Sequence, residues 1–524
     1  MTLKLIARSL TGLAALGTLL FIAPGYLPEK STTVQAPARP NIIFIFSDDH
    51  THQAISAYGS KLAKTPNIDR IANEGAILHT NIVTNSICGP SRATLLTGQF
   101  SHVNGYKLNE KVFDVRQSVF PEELQKNGYQ TAWVGKMHLG ALPHGFDYLN
   151  VLPGHGHYYN SDFVNSKNET VRYPGYVTNV ITKLSLDWLK QRDESKPFFL
   201  VVGHKATHRE WLPDIPDLGA YDNRTFPIPP TFYDDYNGRL AAQDQDMTID
   251  KTMRLKEDLK VHLDYDNKGA FNGYNRFTPE QRKPFQAYYD KISQEFDDKK
   301  LTGKALVEWK YQRYLKDYLS VANSLDRNIG ELLDYLDKTG LAKNTVVVYA
   351  SDQGFYMGEH GWFDKRWIYE ESLKTPFVIR YPGVIKPHTH IHQLVSNIDW
   401  APTILNLTGT AIPSYIQGES FLPLLKGQKT NWRKEAYYHY YEFPQPHHVS
   451  PHFGIRTEQY TLARFYGPKD FWELYDIKKD PHNLHNLYGQ KGYEAIMADL
   501  KKKLTEQIKK YKDDEALKLV DSKS

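Results

Sequence analysis

The sequence predicts an α/β fold: a large, mainly parallel sheet flanked by helices, followed by a smaller antiparallel-sheet domain with a terminal helix. Three observations predict it. Short continuous apolar runs such as Ile42-Ile43-Phe44-Ile45-Phe46 have the form of strands covered on both faces. Segments of helical pattern alternate with these runs, as in βαβ units. From Trp432 onward the text changes to short aromatic runs separated by turns.

The elements follow in order. Lys4 and Arg8 precede the apolar residues 10–23, LTGLAALGTLLFIA, the pattern of a secretory signal. Ala36-Pro37-Ala38 offers a small-residue cleavage site, so residues 1–38 are expected to be a signal peptide and linker and the protein to be exported, periplasmic or extracellular. That site lies far from the apolar run, which leaves an N-terminal membrane tether open. The first strand is NIIFIF, and its form recurs at Trp133-Val134, in PFFLVVGH from Pro197, in NTVVVYASDQG from Asn344 and in PFVIRYPG from Pro376. Helices are expected in TPNIDRIANEG and FPEELQKNG, each opening near a proline and closing on glycine, in VTNVITKLSLDWLKQ, and from Tyr314 to about Gly340. Between about Glu210 and Lys304 a polar, aromatic stretch reads as a helical and loop insertion over one face of the sheet. AYYHYYEF, HFGIRTEQYTLARFYG and DFWELYDI read as the strands of the second sheet, and YEAIMADLKKKLTEQIKKYKDD as its helix. The expected division is a main domain at residues 39–425 and a C-terminal subdomain at 426–524.

Composition sets bounds on function. The chain has 524 residues, enough for more than one domain, and a net charge of +4 gives no electrostatic case for nucleic acid. Its 35 tyrosines and 9 tryptophans are a weak hint of sugar-facing surfaces, since flat rings cover the apolar faces of pyranoses; an aromatic core is the alternative. Cys88 is the only cysteine, so it is not half of an internal disulfide.

Ligands of parallel sheets bind beyond the carboxyl ends of the strands. Asp48-Asp49 ends the first strand, and Asp352-Gln353 ends NTVVVYAS. If these strands are neighbours, three carboxylates and an amide oxygen meet, a hard oxygen set suited to Ca²⁺ or Mg²⁺; helix capping is the alternative. Lys136 and His138 follow another strand, and His204 and His208 a third. Together they would suit a small anion held over a metal.

Cys88-Gly89-Pro90-Ser91-Arg92, followed by Ala93-Thr94-Leu95-Leu96-Thr97-Gly98, resembles the sulfatase signature. The resemblance runs from about Pro40 to Lys512. It is nearest to bacterial exo-acting N-acetylglucosamine-6-sulfatases, through GEHGWFDKRWIYEES, WRKEAYYHYYEFP and FGIRTEQY. It implies an alkaline-phosphatase-like fold and hydrolysis of a carbohydrate sulfate ester, such as 6-O-sulfated N-acetylglucosamine of a glycosaminoglycan. It also implies that a maturation enzyme oxidises Cys88 to Cα-formylglycine. The hydrated aldehyde attacks sulfur with one hydroxyl and loses a proton from the other, so that sulfate can leave.

By the same resemblance Asp48, Asp49, Asp352 and Gln353, with the modified Cys88, would hold Ca²⁺, or Mg²⁺ in its place. Arg92 and Lys136 would hold the diol in its reactive state, His138 would take the proton that releases sulfate, and His208 and Lys365 would bind the ester. His208 would also protonate the leaving oxygen. Thr207 stands where the family often has proline, which leaves His204 as an alternative to His208, and Gln353 stands where asparagine or histidine is more frequent. Glu359, His360, Trp362, Asp364 and Arg366 neighbour Lys365 and are candidates for the sugar pocket, with His439 and Arg456 reaching in from the small domain; bracing between domains is the alternative. Two rival functions remain: a formylglycine-dependent phosphoester or phosphonate monoester hydrolase, and a silent sugar-binding protein with unmodified Cys88. The sugar, endo or exo action and oligomeric state stay open.

Overall fold

Asn41–Ser47 is the strand that the first apolar run predicts, and it lies in the interior of a ten-stranded sheet. The strand order is Thr389–Ile391, Ala76–Leu78, Phe377–Arg380, Thr345–Ser351, Asn41–Ser47, Phe198–Gly203, Gln130–Lys136, Tyr148–Leu152, Asp162–Asn165 and Thr170–Arg172. The five strands from Thr345–Ser351 to Tyr148–Leu152 run parallel, while Phe377–Arg380 and Asp162–Asn165 join antiparallel on either side. The computed structural model describes residues 39–109, 111–266 and 273–521; the expected signal and linker at 1–38 lie outside them. Among the described residues no helix is long and apolar enough to cross a membrane.

Alternation along the strands builds two cores. Ile43 and Ile45 pack with Val202 and Val347 under the helices Val177–Gln191 and Gly303–Lys338. Ile42, Phe44 and Phe46 point the other way, onto Leu95, Leu96, Phe120, Leu124 and Ile404. Each such side chain, fully buried, contributes about 1.5–3 kcal/mol, which fixes the register of the central strands and hence the height of the residues after them. The long helix starts at Gly303, well before the pattern from Tyr314, because Lys310, Tyr311 and Arg313 extend its buried face. The insertion before it is mostly turns, with one long helix, Pro279–Lys299, capped by the Thr278 side chain on Gln281 N.

The second sheet is antiparallel, in the order Glu435–Tyr440, His452–Thr457, Tyr460–Phe465 and Phe471–Asp476. Leu500, Leu504 and Ile508 of the helix Glu494–Tyr511 cover one face through Ile455, Leu462 and Leu474. The other face sets Tyr438, Ala463 and Tyr475 against Trp362, Trp367 and Tyr369. His439 N donates to Thr84 O at 3.0 Å, tying the first of these strands to the segment just before Cys88. A mainly parallel sheet with flanking helices and a smaller antiparallel sheet are as expected from the sequence.

Candidate active site

Asn41–Ser47 and Thr345–Ser351 are parallel neighbours with Ser47 opposite Ser351, so Asp48-Asp49 and Asp352-Gln353 leave the sheet side by side. Asp49 N donates to Asp352 Oδ1 at 3.2 Å. Phe198–Gly203 separates Asn41–Ser47 from Gln130–Lys136, and the latter delivers Lys136 to the same end. Gly135 makes that close approach feasible: at φ +96° it faces Gly203, and a Cβ there would stand 2.1 Å from Gly203 O. Asp49 and His138 also have positive φ, 63° and 58°, backbone strain of the kind that collects at functional sites.

Cys88 is the first residue of the helix Cys88–Thr97 and is fully buried. Gly89 keeps the helix start against the loop opposite, because a Cβ would meet Tyr106 Cε1 at 2.6 Å, and its N–H donates to Asn109 Oδ1 at 2.8 Å. Ligand atoms of Asp48, Asp49 and Cys88 all lie within 4.8 Å of one another. Gln353 Nε2 is 4.0 Å from Cys88 Sγ and donates to Asp49 Oδ1. Burial, then the Asp48 charge, pushes the Cys88 thiol up, so the unmodified side chain is a neutral thiol and a poor nucleophile.

Three cations meet three carboxylates here. Arg92 donates to Asp352 Oδ2 from Nε at 3.0 Å and from Nη2 at 2.9 Å, Lys136 Nζ pairs with Asp48, and Lys365 Nζ straddles Asp49 Oδ1 and Oδ2 at 2.7 and 2.8 Å. Charge repulsion alone therefore does not demand a metal. The donor set does fit one: Asp48 Oδ1 and Gln353 Oε1 are buried without a hydrogen-bond partner, and both are hard oxygens beside Asp49 and Cys88. Burial raises Asp49 and Asp352, with Asp48 adding to both, whereas Lys136 and Arg92 hold Asp48 well below the usual carboxylate range against its burial.

Above the carboxylates opens a cavity of about 500 Å³ lined by residues including His155, Lys205, His208, Glu210, Lys365 and Arg366. His155 lies between His138 and His208, with ring centroids 4.1 and 4.5 Å away. Its Nδ1 is 3.1 Å from Lys136 Nζ. Burial, then Lys136, lowers all three histidines, so their rings are neutral. His208 Nδ1 lies 2.5 Å from Arg209 O, which makes it the donor and leaves Nε2, 3.9 Å from Asp49 Oδ2, as the bare nitrogen. His204 is fully buried with neither ring nitrogen partnered and does not line the cavity; His208 does.

Ligand atoms of Asp48, His155 and His208 also come within 4.8 Å of one another, a second group that could hold a metal and one the sequence did not reveal. The Lys136 ammonium bonds both Asp48 and His155, so a fixed monovalent charge already serves that group.

The sugar-pocket candidates divide. Asp364 and Arg366 line the cavity; Asp364 accepts from Arg366, and its Oδ2 lies 3.2 Å from His447 Nε2. Five others do not line it. Glu359 turns inward to Gln53 Nε2 and Met357 N, both at 2.7 Å. His360 Nδ1 pairs with Asp234 Oδ2 at 2.6 Å, and Trp362 is stacked against Trp367 with centroids 4.9 Å apart. His439 is held by Asp513 at 2.7 Å and Tyr466 at 2.8 Å, and Arg456 forks onto Glu370 with both bonds at 3.1 Å. Arg456 and Trp362 brace the packing between the two sheets, while Glu359, His360 and His439 are held within one part of the fold each. His155, Lys205, Arg209, Glu210, Arg254 and His447 also line the cavity, and none of them is among the candidates the sequence offers. His155 had a usable signal, since GHGHYY follows the carboxyl end of the parallel strand Tyr148–Leu152.

Residues 40–410 match the family described as Sulfatase, and residues 358–510 match N-sulphoglucosamine sulphohydrolase, C-terminal. This chain belongs to the sulfatase family. The sulfatase is 44% identical over 500 residues to an N-acetylglucosamine-6-O-sulfatase of Bacteroides thetaiotaomicron, covering 93% of this chain and 89% of the relative. An ulvan-active sulfatase of Formosa agariphila is 27% identical, covering 93% and 85%. A solved structure described as in complex with its substrate D-glucosamine-2-N,6-O-disulfate superposes with a TM-score of 0.88 at 44% identity, covering 91% of this chain and 99% of that one. A phosphonate monoester hydrolase of Agrobacterium radiobacter shares the fold at a TM-score of 0.67 and 20% identity, covering 90% and 96%. The fold is alkaline-phosphatase-like, and the enzyme is a sulfuric ester hydrolase.

Proposed function

We propose that this sulfatase removes the 6-O-sulfate from an N-acetylglucosamine or glucosamine residue at the end of a glycosaminoglycan chain, through a Cα-formylglycine made from Cys88 by a maturation enzyme. The observation that carries the reading is the convergence of Cys88 with Asp48 and Asp49 beneath a cavity whose wall includes Lys205, Lys365 and Arg366. The choice of sugar rests on the relative and the solved neighbour at 44% identity, each described by a glucosamine 6-sulfate activity or substrate.

Asp48, Asp49, Asp352 and Gln353 would hold Ca²⁺, and Mg²⁺ is the other ion for these oxygens. A hard dication there supplies Lewis acidity toward a sulfate oxygen and favours the ionised form of a bound hydroxyl. The hydrated aldehyde supplies an oxygen nucleophile and, in its second hydroxyl, a route by which sulfate is released. Arg92 and Lys136 fix the charge around position 88, and His138 is placed to take the proton of the second hydroxyl. Lys365 binds the sulfate ester, giving up part of its hold on Asp49 as it does so. His208 Nε2, bare in the free protein, takes up a proton from solvent as the sulfate anion arrives and offsets the burial and the Lys136 charge that keep the ring neutral, and it then passes that proton to the leaving sugar oxygen. Asp364, Arg366 and His447, hydrogen-bonded as one unit, orient the sugar. The enzyme is exported, with residues 1–38 as its signal and linker.

Lys136 argues against a phosphate monoester as substrate, and not against a phosphonate monoester, which carries one negative charge. A single ammonium charge at the second metal-like group matches a sulfate monoester, which carries one negative charge, better than a phosphate monoester dianion. Free sulfate released from a panel of sulfated saccharides, compared with turnover of aryl sulfate and aryl phosphate, tests the reading; a large preference for phosphate overturns it. Mass spectrometry of the Cys88 peptide tests the modification, and an unmodified thiol in active enzyme ends the formylglycine account.

A further inference from the structure

A second cavity, of about 460 Å³, lies between the helix Pro279–Lys299 and the first half of Gly303–Lys338, and none of its lining residues belongs to the active-site cavity. Five basic side chains line it, Arg224, Lys291, Lys299, Arg313 and Lys316, together with the rings of Trp309 and Tyr288. Two acids are present, and each is already engaged. Asp222 accepts from Tyr288 Oη at 2.7 Å and lies 3.7 Å from Arg313, and Glu295 lies 4.0 Å from Lys291 on the same helix.

Three cations are left without a carboxylate within ion-pair reach among the described residues. Arg224 donates to the carbonyls of Leu62 at 2.7 Å and Lys61 at 3.0 Å, Lys316 donates to the carbonyl of Asp222 at 2.9 Å, and Lys299 has no ion pair. Burial, then the like charge of Arg313, lowers the Lys316 ammonium, with Lys299 adding to this and Asp222 and Asp317 opposing it. Arg313 is 5% exposed, and its Nε has no hydrogen-bond partner. Five cations against two carboxylates leave the groove with a positive field that attracts anions.

We infer that this groove is a second binding site for sulfated oligosaccharide, in which Arg224, Lys299 and Lys316 take sulfate groups and the Trp309 ring takes the apolar face of a sugar. Simple anions need no ring, so the pairing of cations with Trp309 favours a sulfated saccharide over inorganic sulfate or phosphate. The inference rests on the reading that the substrate is a sulfated polysaccharide. A groove separate from the catalytic cavity gives a long chain a second hold through effective concentration.

The experiment measures binding of heparin-derived disaccharide and longer oligosaccharides to the Cys88→Ala protein, alone and with Lys299→Glu, Lys299→Arg or Trp309→Ala, after melting curves confirm folding. Kinetics of the active enzyme with the same groove substitutions run in parallel. The long oligosaccharide is expected to bind ~5-fold more weakly with Lys299→Glu and with Trp309→Ala, from losing one exposed charged or stacking contact. Lys299→Arg should keep the affinity, and turnover of the disaccharide should be unchanged in all three. Unchanged long-chain affinity in both Lys299→Glu and Trp309→Ala overturns the inference, as does displacement of the oligosaccharide by equal concentrations of inorganic sulfate or phosphate. If no sulfated saccharide is a substrate, the proposed function fails, while the binding arm still decides the groove by itself.

Discussion

Arg92 reaches Asp352 through two nitrogens onto one oxygen, Nε at 3.0 Å and Nη2 at 2.9 Å from Oδ2, and both side chains are fully buried. The contact locks the helix that begins at Cys88 to the end of Thr345–Ser351. Nη1 at the same time donates to Lys136 O at 2.9 Å. One guanidinium therefore sets the relative positions of Cys88, Asp352 and Lys136. Arg92→Ala strands a buried Asp352 and is expected to lower stability by about 3–5 kcal/mol as well as activity. Arg92→Lys, which lacks the planar fork, should recover part of the stability and little of the rate. Chemical denaturation beside kcat/KM reads both; equal activity of the lysine variant and the parent would remove the positioning role.

Cys88→Ala should abolish sulfate release while leaving the melting temperature nearly unchanged. The side chain is small, buried and unpaired, so its loss removes one weak contact with Gln353 and little packing. Residual turnover above the uncatalysed rate would show that another group attacks sulfur.

Removing divalent ions should reduce both activity and melting temperature, and Ca²⁺ should restore them. Binding to the folded state alone stabilises it by mass action, by ~2.7 kcal/mol at a hundredfold excess over Kd. Gln353→Ala deletes the unpartnered Oε1 and should raise the Ca²⁺ concentration needed for recovery by ~10-fold, the scale of one charge-assisted contact. A melting curve indifferent to prolonged chelation and to added Ca²⁺ would contradict the metal assignment.

His447 and Arg366 both engage Asp364 at the cavity wall. They come from the second sheet's connecting loop and from the segment after Phe363–Asp364, so neither fold unit builds the pocket without the other. Arg366→Ala is expected to lower kcat/KM on a sulfated sugar by ~10–100-fold, the worth of one charged hydrogen bond, and to leave aryl sulfate turnover within a few-fold. Equal losses on both substrates would place Arg366 in catalysis and not in sugar recognition.

The strand ends were legible because they are local. Asp48, Asp49, Asp352 and Gln353 directly follow apolar runs whose burial sets their height, and Lys136 follows a third strand of the same sheet. The sugar pocket was not, because its geometry depends on turns that periodicity does not encode. Glu359, His360 and Trp362 stand next to Lys365 in the chain, yet the turn Glu359–Gly361 points them into the packing, and φ of 82° and 98° at Asp364 and Arg366 turns only the later residues outward. Lys205, Glu210 and His447 reach the cavity from loops that long-range contacts alone position. Arg456 is legible as a charge but not as a brace, since its partner Glu370 is distant in sequence.

That brace gives a stability test with a definite sign. Arg456 forks onto Glu370, and Lys374 adds a second cation at 2.6 Å. Burial opposes its charge, but the cations hold Glu370 down to about 2, from an ordinary value of 4.5. A depressed folded-state value means that the unfolded chain binds the proton more readily. The stabilisation is therefore complete above about pH 4.5 and lost as pH falls toward 2. Converted at 1.36 kcal/mol per pKa unit, the net surroundings of the ionised Glu370, burial and both cations together, contribute about 3 kcal/mol at neutral pH. Glu370→Gln should consequently cost more stability at pH 7 than at pH 3, and Arg456→Met, which leaves the carboxylate buried without its fork, should cost more than Glu370→Gln at pH 7. Denaturant titrations of the three proteins across this pH range measure the differences. A loss for Glu370→Gln that is the same at both pH values would mean that the charge pair contributes nothing and that the side chains hold the two sheets together by shape.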